Sequence, residues 1–339
     1  MSANGRENCA LRYGCSGRIV AAAAGILVAL VTPRAAVAAA QGLEFTTVEG
    51  VGGVPLNVVT TGNRGGRPVV FVHGLGQSYL AFEKQLRSSL GRRFFLVAFD
   101  LRGHGNSGKP WSSQAYSDRA VWAGDLNSVI HGLGLRKPVL VGWSYGTLVV
   151  LDFLRVHGAQ SIGGAVLTGA YGGLTNPDAR PPPSNPAFNR LREDLASADL
   201  ARKWSAAHAM AKYLTAHPMP APWIERAAAM TMLLPQTARV GMYLQAFNNT
   251  DLIPLLQTLP MLFMIGGKDP SASESDGRHL VAALPRARLS VYPADGHSVF
   301  IESPERFNYE LSEFAASLSE TASITESGAA HRSAADSRH

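Results

Sequence analysis

The chain has 339 residues, 46% hydrophobic and 17% charged, a balance that excludes a mainly disordered polymer and leaves apolar material for one sizeable core. The net charge of +6 halves once residues 1–40, with four Arg and one Glu, are set aside, and no dense Lys/Arg stripe follows. A nucleic-acid partner is therefore not expected.

Residues 1–40 read as a secretory signal peptide. Arg6, Arg12 and Arg18 precede an apolar run from Ile19 to Val31, and small residues from Ala36 to Ala40 follow. The run is shorter than the roughly 20 residues a membrane span needs, so no stable membrane insertion is expected after signal removal, and cleavage is expected near Ala38 or Ala40. Export to the periplasm or medium follows. Both cysteines, Cys9 and Cys15, lie in this leader, so a mature chain would offer no thiol catalysis, disulfide framework or cysteine-based metal site.

Residues 41–171 alternate strands and helices. Segments 44–49 and 54–60, joined at Gly50–Gly53, predict a β-hairpin. Compact apolar runs follow at Pro68–His73, Phe94–Asp100, Pro138–Trp143 and Ala165–Thr168, as suits strands of a parallel sheet covered on both faces. Between them, Tyr79–Leu90, Asp118–Leu133 and Tyr145–Val156 carry apolar residues at helical spacing. Residues 172–256 break the alternation: the loop Asn176–Pro186 contains five prolines, and Ala- and Met-rich helical sequence follows. An insertion of about 80 residues, far beyond ordinary connections, predicts a helical cap over the sheet's carboxyl edge. Residues 257–318 resume the core with strands at Met261–Ile265 and Leu289–Tyr292 and a helix over Pro304–Leu318. From Ser319 to His339 the Ser-, Ala- and Thr-rich sequence lacks an apolar period and predicts a disordered tail.

Gly142-Trp143-Ser144-Tyr145-Gly146 is a G-x-S-x-G pentapeptide. In isolation it is a weak signal, but here it lies between a strand and a helix, the setting of a nucleophile elbow. Such a turn lifts the serine above the sheet and leaves no room for side chains at 142 and 146. It also puts the Tyr145 amide at a helix N-terminus, where it can donate to an oxyanion. The second donor is expected from His73-Gly74-Leu75-Gly76, a loop after another strand, with the Leu75 N–H as the choice and His73 as a structural residue.

A serine nucleophile needs a base, and the base an orienting carboxylate, in the chain order Ser, Asp or Glu, His. Seven histidines follow Ser144. His331 and His339 fall in the tail, and His157 and His279 lie away from strand ends. His208 and His217 in the cap are weaker candidates than His297, which stands in a tight loop between the last strand and the last helix. Asp269, just past the strand Met261–Ile265, is the expected acid ahead of Asp295. Asp125 reads as a solvent-facing or capping residue.

The chain resembles the α/β-hydrolase superfamily over about residues 44–318. The likeness rests on His73-Gly74, the segment Asp100–Ser107, the elbow, Gly266-Gly267-Lys268-Asp269, and the segment Gly296–Pro304. It implies an α/β-hydrolase fold: a mostly parallel central sheet flanked by helices, with the helical cap inserted between late strands. In the family the Asp100–Ser107 type of segment is a structural loop. Relatives that dehalogenate haloalkanes or open epoxides have Asp at the elbow, where this chain has Ser144. Thr147 stands where many members have a second glycine.

The implied activity is hydrolysis of a small, fairly apolar carboxylic ester through an acyl-enzyme, with Ser144, Asp269 and His297 catalytic and no metal or organic cofactor. Trp143, Tyr213, Trp223 and Tyr243 are candidates for an acyl pocket or for ordinary packing. Relatives with the same residues also catalyse perhydrolysis (cofactor-free haloperoxidase activity), C–C bond hydrolysis, lactone opening and acyl transfer. A non-catalytic binding protein on the same fold is the least expected reading. The sequence does not specify an oligomeric state.

Overall fold

The computed structural model describes residues 42–175 and 186–333. The expected signal peptide, both cysteines, most of the proline-rich loop and the last six residues lie outside them. Eight strands form one sheet: β1 (Glu44–Glu49), β2 (Pro55–Gly62), β3 (Pro68–Val72), β4 (Phe95–Phe99), β5 (Val139–Trp143), β6 (Gly164–Thr168), β7 (Met261–Gly266) and β8 (Ala287–Tyr292), in the spatial order β1-β2-β4-β3-β5-β6-β7-β8. The opening hairpin β1–β2 and the pair β2–β4 are antiparallel, and all later pairs are parallel. The α/β architecture with its mostly parallel sheet is thus as the sequence implied.

The buried runs arise because both sheet faces are covered. Val70, Val72, Val97, Phe99 and Leu140 point into one apolar cluster with α2 (Arg119–Gly132) and α3 (Tyr145–His157). Their strand neighbours Val69, Phe71, Val139 and Val141 point into another, with Phe82, Phe300, Phe307 and Phe314. Successive strand side chains alternate faces, so a strand packed on both sides must be apolar throughout.

The segment 79–90 departs from the expected single helix. Short α1 (Glu83–Leu86) sits between single 3-10 turns at Tyr79–Phe82 and Ser89–Arg92. The Ser88 hydroxyl donates to the Gln85 carbonyl (2.7 Å) and accepts the Leu90 N–H (3.2 Å), diverting the backbone groups that would continue a helix.

Between β6 and β7 the described residues form helices only: α4 (Pro186–Leu195), α5 (Leu200–Tyr213), α6 (Ala221–Leu233), α7 (Gln236–Leu244) and α8 (Ile253–Leu256). The core then continues through α9 (Glu274–Ala283), α10 (Val299–Glu302) and α11 (Pro304–Ser333). The backbone of α11 is helical to Ser333, through most of the segment expected to be a disordered tail, and Leu318 is among its residues in the apolar cluster. Among the described residues no helix is long and apolar enough to cross a membrane.

Candidate active site

Strand order brings the site's loops together. Because β3 lies beside β5, with Val72 opposite Gly142, the loop after β3 meets the turn after β5 at the carboxyl edge. Because β7 lies beside β8, with Gly266 opposite Tyr292, the loops carrying Asp269 and His297 are also neighbours. Order reversal between adjacent parallel strands is where open α/β sheets place ligands.

Ser144 occupies the strained turn its motif requires. Its φ is +54° and its ψ −119°, and Lys137 is the one other described non-glycine residue with positive φ. Such backbone costs on the order of 1–3 kcal/mol and persists only where surroundings impose it. They do so tightly: a Cβ on Gly142 would lie 2.7 Å from the Gly146 carbonyl oxygen, and one on Gly146 would lie 2.1 Å from that of Val72. The Ser144 N–H donates to the Thr168 carbonyl on β6 (3.0 Å), pinning the turn to the next strand.

The loop after β3 presses against this serine. A Cβ on Gly74 would stand 2.9 Å from Ser144 Cβ. Two buried histidines shape the loop. His73 accepts the Leu101 N–H at Nε2 (3.0 Å), and its Nδ1 meets the Gly74 carbonyl (2.8 Å). His104 accepts the Gly76 N–H at Nε2 (3.0 Å), and its Nδ1 meets the Arg102 carbonyl (3.0 Å). Each therefore serves as a neutral Nδ1–H tautomer. Burial pulls both pKa values down, that of His104 well below the ordinary histidine value, with the neighbouring His73 adding to the effect. The Gly76 and Gln77 amides are taken by His104 and the Gly74 carbonyl, which leaves the Leu75 N–H without an acceptor among the described residues. The Tyr145 N–H opens α3, where first-turn amides have no partner within the helix.

Asp269 and His297 come together. His297 Nδ1 lies 3.0 Å from each carboxylate oxygen of Asp269, and both side chains are buried. An ionised carboxylate only accepts, so Nδ1 carries the proton and Nε2 keeps a lone pair. The Trp143 indole, adjacent to Ser144, donates to the His297 carbonyl (3.0 Å), and the two rings pack with centroids 5.9 Å apart. Asp295, the weaker acid candidate, faces His217 at 3.3 Å. His208 lies 2.9 Å from Glu225 in the cap.

Several positioning residues escaped the sequence reading. Asp125 is not solvent-facing: it is buried, pairs with Arg102 through contacts of 2.6 and 2.7 Å, and accepts the Val51 N–H at 2.9 Å. It thereby ties α2 to the hairpin turn and to the loop Asp100–Ser107. Gln245, past α7, accepts from the Tyr145 hydroxyl (2.6 Å) and donates to buried Asp152 (2.6 Å), joining the cap's end to the elbow helix. Glu302 accepts the N–H of Gly296 next to His297 (2.8 Å); its place inside the segment Gly296–Pro304 was the available signal. Among the pocket candidates, Trp143 is core, Tyr213 packs on Phe188, and Tyr243 lies under the Arg192 guanidinium at 3.9 Å.

The family model for the alpha/beta hydrolase fold matches residues 67–304. A non-heme chloroperoxidase of Kitasatospora aureofaciens is 28% identical over 266 residues, covering 74% of this chain and 92% of that protein. Among solved structures, a Burkholderia cenocepacia protein assigned as an aryl esterase superposes with TM-score 0.73 at 30% identity, covering 82% of this chain and all of that one. An esterase of a Rhodococcus species gives TM-score 0.72 at 29% identity, covering 81% and 99%.

Proposed function

The chain belongs to the α/β-hydrolase fold family, and we propose that within it the protein is a serine hydrolase that cleaves a small, fairly apolar carboxylic ester through an acyl-enzyme on Ser144. Esterase and haloperoxidase relatives support an enzyme of that general kind acting on a small molecule. The observation that carries the finer reading is the His297–Asp269 pair, buried against the residue that precedes the strained Ser144.

In this mechanism Nε2 of His297 takes the hydroxyl proton as Ser144 attacks the acyl carbon. Asp269 holds the tautomer and stabilises the imidazolium. The N–H groups of Leu75 and Tyr145 donate to the oxyanion, each such donor being worth on the order of 3 kcal/mol in the transition state. The imidazolium protonates the leaving alkoxide, and water activated by the same base then releases the acid. None of these steps calls for a metal or organic cofactor.

A fluorophosphonate probe should label Ser144, and Ser144→Ala should hydrolyse p-nitrophenyl acetate slower by on the order of 10⁴-fold or more. An unlabelled wild-type serine, or an undiminished variant, refutes the assignment. The chloroperoxidase relative favours one second reading, in which hydrogen peroxide replaces water and yields a peracid; product analysis with and without peroxide separates the two. Export belongs to the same proposal, supported by Arg6, Arg12 and Arg18 ahead of the apolar run. N-terminal sequencing of the protein recovered from periplasm or medium should begin near Gln41, and recovery of only the full-length chain from the cytoplasm would overturn it.

A further inference from the structure

The cap loop between α5 and α6 rests on the loop that carries His297. Glu302 bridges the two, accepting the Ala216 and His217 N–H groups at one oxygen (2.7 and 2.9 Å) and the Gly296 N–H at the other (2.8 Å). The approach is close: a Cβ on Gly296 would fall 2.6 Å from the Ala216 nitrogen. Over this junction the His217 imidazole stands half exposed, with Nε2 3.3 Å from Oδ1 of Asp295. Donor atoms of His217, Asp295 and Glu302 all lie within 4.8 Å of one another.

Asp295 is the anomaly. Its side chain is only 5% exposed, and Oδ2 is buried with no hydrogen-bond partner. Among the described residues no lysine or arginine lies in ion-pair reach of Asp295 or Glu302. A buried carboxylate oxygen in such a setting lacks compensation for its lost hydration. Oε2 of Glu302 already accepts two N–H groups, whereas Oε1 accepts one and keeps a lone pair.

We propose that His217, Asp295 and Glu302 form a binding site for a divalent cation of the zinc class. One imidazole nitrogen and two carboxylates form a donor set that zinc accepts, with a fourth position left for water. Donors about 2.1 Å from a tetrahedral ion stand roughly 3.4 Å apart. His217 and Asp295, at 3.3 Å, already have that spacing, and no separation among the three, all within 4.8 Å, need close by more than about 1.4 Å. The ion neutralises the paired carboxylates and ties the cap loop to the loop bearing His297. It acts structurally, and the site is independent of whether Ser144 is the nucleophile.

The test uses the full-length protein, stripped with chelator and titrated with zinc chloride by calorimetry. The wild type should bind one equivalent through this site and melt at a higher temperature with zinc. His217→Ala should bind at least roughly tenfold more weakly and lose the thermal shift. His208→Ala, altered elsewhere in the cap, should keep both. Asp295→Asn, which preserves side-chain size but removes the anionic ligand, should behave like His217→Ala, with circular dichroism confirming that both variants are folded. Absence of a zinc-induced thermal shift in the wild type, or equal affinity in wild type and folded His217→Ala, would overturn the site.

Discussion

Gly74→Ala places a methyl group where the loop after β3 meets Ser144, the proposed nucleophile. The added carbon would sit 2.9 Å from Ser144 Cβ, 3.3 Å from the Trp143 carbonyl oxygen and 3.4 Å from its indole. Carbon–carbon contacts are comfortable at about 3.5–4.0 Å, so the overlap with Ser144 is about 0.6–1.1 Å. Ser144 has little freedom to retreat, since its amide is bonded to Thr168 and its neighbours Gly142 and Gly146 are packed against backbone. The 74–76 loop must therefore move away, carrying the Leu75 N–H with it. A displacement near 1 Å at a catalytic group costs on the order of 10²-fold in rate, and overpacking destabilises by about 1–3 kcal/mol. The expected result is kcat for p-nitrophenyl acetate down about a hundredfold, with KM changed far less, in a protein that still folds and melts somewhat lower. Gly65→Ala, whose added carbon meets only the Asn63 side chain at 3.5 Å, is the control and should match the wild type. A Gly74→Ala enzyme with unchanged kcat and melting temperature would refute both the close contact and the role given to this loop.

Other perturbations probe the supports around the site. Arg102→Met leaves the buried Asp125 carboxylate without its partner and should lower unfolding stability in urea by about 3–5 kcal/mol; a loss below 1 kcal/mol would contradict that pairing. His104→Ala strands the buried Gly76 N–H at a cost of about 1–3 kcal/mol and, if the loop after β3 supplies the proposed oxyanion donor, should lower kcat as that loop loosens, measurable by melting and steady-state rates. Burial pushes the Asp152 carboxyl up to about 7, with Arg119 the largest opposing influence. Its folded-state pKa is raised, so its contribution to stability is fully present below the unfolded value near 4 and is lost as pH rises through about 7. Asp152→Asn should therefore gain stability relative to wild type between pH 5 and 8, and a pH-independent difference in melting would disprove this.

What the sequence determined by itself was local. Compact, continuous apolar runs and helical spacing located the strands and most helices, because a sheet covered on both faces must be apolar along its length. The glycines flanking Ser144 were legible because the turn they permit is made by residues within one short segment. Where a side chain competed for the backbone, as at Ser88, periodicity misled and the expected helix became three separate turns. Only the tertiary structure decided which polar groups meet. The choice between Asp269 and Asp295 as partner of His297 depends on β7 lying beside β8, and the approach of Gly74 to Ser144 on β3 lying beside β5. Asp125, read as a surface residue, became a buried counter-ion because Arg102 arrives from a loop beyond another strand. Glu302, Gln245 and His104 likewise bond to groups far away in the chain. Hydrophobic periodicity records which side of an element faces the core, whereas hydrogen-bond pairing depends on which loops strand order brings to the same edge.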